Sequence, residues 1–226
     1  MATLSKRTKQ ISSVVDTQKT YSLEEAMGQV VGLPKVKFNE TVELHFNLSI
    51  DSKNSEQSVR GTVVLPHGSG KTIRIAVFCK GEVTQKAQDL GADFIGAEDL
   101  IEKVAKGFLG FDCVIATPDM MRELSKLGKV LGPRGLMPSP KAGTVTMDIE
   151  RAIKEVKAGK IEFKSDKQCG IHVGIGKKSF SSDQLVQNAR NVIDAVNHSK
   201  PASVKGNLIK SLFVSTTMGP GLRVAV

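Results

Sequence analysis

The sequence predicts an α+β domain divided in the chain, with an α/β domain inserted into it. Three observations carry this expectation. Both ends of the chain hold strands that alternate apolar and polar residues, as antiparallel sheets with one solvated face do. The middle instead alternates short apolar strands with helices, which is the pattern of a parallel sheet. Glycine-rich joints at Pro66–Gly70 and at Gly159 separate the two patterns. The expected division is a basic domain of residues 1–68 and 160–226 and an insert of residues 69–159. The first is an antiparallel sheet with helices on one face, in a split β-α-β-like arrangement. The second is a three-layer, Rossmann-like α/β domain. Two chain crossings at the joints would make a hinge.

The elements follow in order. Ser22-Leu23-Glu24-Glu25 is a capping box, in which the serine and the glutamate three residues on cap each other's backbone N–H, and it opens a helix to about Gly32. Val42, Leu44, Phe46, Leu48 and Ile50 alternate with Thr41, Glu43, His45, Asn47 and Ser49. That period of two marks a strand with one apolar face. A second strand is expected at Val59–Leu65. In the middle, strands are expected at Ile73–Cys79, Asp93–Ile95 and Phe111–Thr117, with helices at Glu82–Leu90, Ala97–Lys106 and Asp148–Ala158. Pro118 suits the first turn of a helix, and Gly159 ends the last one. Beyond it, Lys160–Lys164 and Ile171–Ile175 read as strands joined by a turn at Asp166–Gly170. Ser182 or Asp183 is expected to cap a helix reaching His198. Strands at Leu212–Thr216 and Gly221–Val226 close the chain.

The chain has 226 residues with 32 basic and 23 acidic side chains, a formal charge of +9. Such an excess points to an anionic partner. It is uneven: residues 69–159 hold 14 basic and 12 acidic groups, the flanking segments 18 and 11. If the ends fold together, one domain is strongly basic and the other nearly neutral. Lys6, Arg7 and Lys9 form a short basic arm, a phosphate contact or simply a solvated terminus. Cys79, Cys113 and Cys169 are scattered and odd in number, which argues for a reducing compartment and against a disulfide framework or structural zinc. Cys79 and Cys113 suit core packing. No apolar run is long enough to span a bilayer, and the N-terminus shows no signal-peptide core.

Residues 124–146 stand apart. They carry four glycines, three prolines and the cations Lys126, Lys129, Arg134 and Lys141, with no acidic residue. Neither a regular helix nor a central strand is expected there; a shaped basic loop suited to a polyanion is.

Enzymatic motifs fail. His67-Gly68-Ser69-Gly70-Lys71-Thr72 lacks the first glycine of a phosphate-binding P-loop, because Leu65 stands in its place. The segment after it reads as a strand, not as the helix whose N-terminal amides bind phosphate. No G-x-G-x-x-G joins a strand to a helix. Glu40 and Glu43 would face opposite sides of a strand. The four histidines lack ligand spacing. An enzyme is the alternative of a different class, and a small substrate or metal in the interdomain cleft would favour it. Aromatic residues make up only 4% of the chain, which disfavours stacking of single-stranded bases. Recognition of folded RNA through backbone and 2′-hydroxyl contacts fits better. Lys37 offers a phosphate contact, Thr41 and Glu43 a polar strand face, and Phe38 an apolar one. Ser215, Thr216 and Thr217 offer hydroxyls, Met218 an adaptable contact and Gly219 close backbone approach. Asp166 and Lys167 are weaker candidates in a neighbouring turn.

Four segments together resemble one family. Residues 124–146, Lys37-Phe38-Asn39-Glu40-Thr41-Val42-Glu43, the run Val59 to Gly68, and Ser215-Thr216-Thr217-Met218-Gly219-Pro220 are similar to the large-subunit ribosomal protein L-one family, in the expected order. Length and lack of long extensions fit the bacterial type. The resemblance implies a non-enzymatic cytoplasmic protein without cofactor or metal, in the large ribosomal subunit and monomeric off it. It implies binding of the stalk of large-subunit rRNA, contact with exit-site tRNA and other ribosome components, and repression of its own operon mRNA through a stalk-like structure. It gathers the Lys37–Glu43 and Ser215–Gly219 segments into the main rRNA contact. It leaves Lys126, Lys129, Arg134 and Lys141 for a secondary RNA contact.

Overall fold

The computed structural model describes residues 5–225 apart from 17, 52–53, 55–56 and 81–82. The chain divides into two compact units, one of Met1–Gly70 and Ile161–Val226, the other of Lys71–Lys160.

The first unit opens with α1 (Lys6–Val14), β1 (Thr20–Tyr21), α2 (Leu23–Gly32), β2 (Thr41–Leu48) and β3 (Arg60–Val64). Helix α2 starts on the expected capping box, with both reciprocal bonds between Ser22 and Glu25 in place. After the second unit the chain returns through β7 (Lys160–Lys164), β8 (Gly170–Lys177), α8 (Ser182–His198), β9 (Ile209–Thr216) and β10 (Leu222–Val224). The main sheet has the order β1-β10-β9-β2-β8, antiparallel except for β1 against β10. β3 and β7 form a separate ribbon.

One face of the main sheet is covered and the other is not. Val42, Leu44, Phe46 and Leu48 from β2, Ile171, Val173 and Ile175 from β8, and Leu212 and Val214 from β9 turn inward. They meet Ala26, Met27 and Val30 of α2 and Leu185, Ala189, Val192 and Val196 of α8. Burial of each large aliphatic side chain contributes about 1.5–3 kcal/mol, so this face supplies most of the unit's cohesion. The opposite face keeps the polar partners of the alternation. Asn188, fully buried on α8, accepts from His67 N–H and donates to the carbonyls of Gly68 (3.1 Å) and Ile175 (2.8 Å), tying the Pro66–Gly70 segment to the helix and to β8.

The second unit contains β4 (Ile75–Phe78), α3 (Val83–Asp89), β5 (Phe94–Gly96), α4 (Glu98–Ala105), β6 (Cys113–Ala116), α5 (Met121–Leu124), α6 (Gly128–Leu131) and α7 (Ile149–Lys157). Its three strands are parallel in the order β5-β4-β6. Both faces are apolar: Ala76, Phe78, Val114 and Ala116 pack under α4, α5 and α6, while Ile75, Val77 and Ile115 pack under α3 and α7.

Several expectations change. The basic arm is part of a helix, α1, capped by Ser5. No residue of α1 is buried, so its sequence lacks the apolar period that would reveal it. Residues 124–146 are not a loop throughout, because Leu124, Leu127 and Leu131 are buried and draw the backbone into α5, a 3₁₀ turn at Ser125–Leu127 and α6. Packing there overrides the low helix propensity of glycine. Helix α8 is capped by Ser181, one residue before the expected cap, because Ser181 and Gln184 close a capping box. The two-residue β1 has no signal of its own. The start expected at Glu82 and the end at Val226 lie outside the described residues. Cys79 is buried as expected, and Cys113 half-buried.

Asn188→Ala removes three bonds to the backbone, among them the one to the buried carbonyl of Ile175. It should destabilise the protein by about 3 kcal/mol in denaturant unfolding, with little change in slope.

Candidate nucleic-acid interface

The residues singled out at both ends of the first unit meet on the uncovered side of the main sheet. Register pairs Glu43 of β2 with Ser215 of β9, and Val42 with Thr216. The chain after β9 is laced to the start of β2: Thr217 N–H donates to Thr41 O (3.1 Å), and Thr41 N–H donates to Thr217 Oγ1 (3.0 Å). Thr41 also accepts from Lys177 Nζ on β8 at 2.9 Å.

Beneath this junction lies the carboxylate of Glu40, whose side chain is 0% exposed. Oε1 accepts from Thr216 Oγ1 (3.1 Å), Met218 N–H (3.1 Å) and Arg7 (3.4 Å). Oε2 accepts from Lys178 Nζ at 3.3 Å. Lys178 is itself 9% exposed and also donates to Leu33 O at 2.7 Å. Arg7 completes the clamp by donating to Met218 O at 2.7 Å. Both backbone polar groups of Met218 are therefore held, while the residue is 57% exposed. Gly219 is required next to it, since a side-chain carbon there would run into Thr216 Oγ1 and meet Leu33. Phe38, 52% exposed, and Lys37 flank the same junction on the segment leading into β2.

From the junction a polar row runs down the sheet. Thr41, Glu43 and His45 stand on β2, over about 13 Å at the rise of a strand. His45 Nε2 lies 2.8 Å from Ser215 Oγ, and His45 Nδ1 lies 2.8 Å from His172 Nδ1 on β8. Burial and the neighbouring His172 lower the pKa of His45, with Glu43 opposing them. The row ends at Asp166, 3.7 Å from His172 Nε2. Asp166 Oδ1 accepts the N–H groups of Gly170 (2.7 Å) and Gln168 (2.8 Å). Those bonds, the one from Gly170 first, hold its pKa below the usual carboxylate range. Lys167 is exposed in the same turn.

The structure thus brings together Lys37, Phe38, Thr41, Glu43, Ser215, Thr217, Met218 and Gly219, with Asp166 and Lys167 at the far end of the row. Thr216 differs: it is buried, and its hydroxyl goes to Glu40 and not to the surface. Lys177, Lys178, His45 and His172 were not singled out from sequence, Arg7 was read only as part of a basic arm at the terminus, and Glu40 only as a member of the Lys37–Glu43 segment. Of the first four only His45 had a signal, its place on the polar side of the alternation. In the second unit Lys126, Lys129, Arg134 and Lys141 are all exposed. Among the described residues no group of three or more His, Cys, Asp or Glu could hold a metal, and no helix is long and apolar enough to cross a membrane.

A basic chain with a preset polar sheet face carries the electrostatic footprint of the nucleic-acid-binding class. Residues 25–220 match the family described as Ribosomal protein L1p/L10e. A relative from Protochlamydia amoebophila (strain UWE25), named large ribosomal subunit protein uL1, is 54% identical over 220 residues, covering 97% of this chain and 93% of the relative. Proteins of the same name from Solidesulfovibrio magneticus (strain ATCC 700980 / DSM 13731 / RS-1) and Thermosipho africanus (strain TCF52B) are 53% and 50% identical, over 93% and 97% of this chain and 89% and 95% of their own lengths. The chain belongs to the Ribosomal protein L1p/L10e family, whose members are structural and non-enzymatic.

Glu40→Gln would keep the shape and leave Lys178 and Arg7 without their counter-charge. It should cost about 3 kcal/mol of stability, read by chemical unfolding, because one partner of a buried ion pair is removed.

Proposed function

We propose that this protein is a structural component of the large ribosomal subunit that binds the stalk of large-subunit rRNA. The primary surface is the junction and polar row of the discontinuous domain, residues 1–68 and 160–226. The observation that carries the reading is the Met218 turn, held on both backbone groups beside the Thr41, Glu43 and Ser215 face. A preset surface loses little conformational entropy on binding, which suits recognition of a folded RNA by shape. Lys37 and Lys177 supply positive charge for phosphates. Glu43 and the hydroxyls of Ser215 and Thr217 supply partners for 2′-hydroxyls and base amino groups. The names of the relatives place those proteins in the large subunit, and the shared family extends that role to this chain.

The same reading includes three finer roles. The protein assists movement and release of deacylated tRNA at the exit site. It represses its own operon mRNA by binding a stalk-like structure with the same surface. Lys126, Lys129, Arg134 and Lys141 of the insert, residues 69–159, make a secondary RNA contact. It acts in the cytoplasm and is a monomer off the ribosome.

The deciding experiment is a titration against the stalk fragment and an unrelated structured RNA of equal length, at two salt concentrations. Tight stalk binding with a specificity ratio that survives higher salt supports the reading; equal, salt-labile binding to both contradicts it. Met218→Asp should weaken stalk binding at least about tenfold in a folded chain, through lost contact and charge repulsion. Lys37→Ala should lower the slope of log affinity against log salt by about one.

A further inference from the structure

Asp166, His172, His45 and Ser215 form a continuous polar chain across β8, β2 and β9, and its proton arithmetic has a functional outcome. The two Nδ1 atoms, 2.8 Å apart, can hold one proton between them and not two. The Asp166 carboxylate stands 3.7 Å from His172 Nε2, so of the two rings His172 is the one placed to hold an added proton against a counter-charge. His172 Nδ1–H donates to His45 Nδ1. That fixes His45 in the tautomer carrying its proton on Nε2, which donates to Ser215 Oγ at 2.8 Å. Ser215 is left with its own hydroxyl proton directed away from His45. Without the added proton, an opposite arrangement competes: His45 Nδ1–H donates to His172, and the Ser215 hydroxyl donates inward to the bare His45 Nε2.

We infer that this chain is a proton-gated donor, in which protonation of the histidine pair turns the Ser215 hydroxyl outward to a phosphate oxygen of bound RNA. The inference deepens the RNA-binding reading above and rests on it. The other charged groups named on this face are Glu43 beside His45 on β2, Lys177 donating to Thr41, Lys167 in the turn of Asp166, and Arg223 on β10 opposite Phe213. Glu43 favours the protonated pair, whereas the three cations oppose it. An anion docked at Ser215 favours the protonated chain. Protonation is therefore easier in the complex than in the free protein. Binding is tighter at low pH, and the advantage fades as pH rises through the range where the complex loses the proton.

The test is the affinity of the full chain for the stalk fragment at about pH 6 and about pH 8, at fixed ionic strength. The expected result is binding about threefold or more tighter at the lower pH. Folded His172→Gln should lose the pH dependence. Ser215→Ala removes a binding hydroxyl, so it should bind more weakly and lose the pH dependence as well. Calorimetry of the unmodified chain in two buffers of different ionisation enthalpy should show proton uptake on binding, and it decides the matter if a variant fails to fold. Equal affinity of the unmodified chain at both pH values, or an unchanged pH dependence in folded His172→Gln, overturns the proposal and leaves the RNA-binding reading standing. Absence of stalk binding at both pH values overturns both.

Discussion

The buried carboxylate of Glu40 is the constraint on which the proposed surface depends. It gathers a hydroxyl from β9, a backbone N–H from the turn beyond it, a guanidinium from α1 and an ammonium from the segment after β8. These groups come from residues 7, 178, 216 and 218, so one side chain joins the beginning, the middle and the end of the chain. Burying a lone carboxylate would cost several kcal/mol, and here two cations and two neutral donors offset that cost. The result is less a gain in stability than a fixed position for the Met218 turn.

That arrangement divides the basic residues by task. Arg7 and Lys178 neutralise a buried charge and hold carbonyls, so much of their charge is turned inward. Lys37 is exposed at the same junction and Lys177 donates there to the Thr41 hydroxyl; in the proposed function these two meet phosphate. Net charge alone would have counted all four alike. The alternation of β2 makes the same division among neutral groups. Its inner residues build the core against α2 and α8, and its outer residues make the row from Thr41 to His45. One strand therefore serves folding with one face and carries the proposed recognition surface on the other.

What was legible in the sequence was local. The Ser22 capping box and the alternation from Thr41 to Leu48 need only neighbouring residues, and both appear in the structure as read. Helix α1 was hidden because it buries none of its residues, and the partners of Arg7 are 33 and 211 positions away. Thr216 looked like its neighbours, yet strand alternation turns it inward to Glu40. The His45–His172 contact was out of reach because it depends on register, which shifts between Val42 and Glu43. The basic segment misled in the other direction: glycines suggested a loop where Leu124, Leu127 and Leu131 impose helical turns.

The central claim is that the RNA surface is set from within by the Glu40 clamp. Arg7→Met tests it most directly, with stalk-RNA affinity measured over a range of salt in a chain confirmed as folded. The account predicts weaker binding with an unchanged salt slope, because Arg7 positions the Met218 turn and meets no phosphate. Unchanged affinity would show that the clamp does not set the surface. A slope reduced by about one would make Arg7 a phosphate contact and contradict the account.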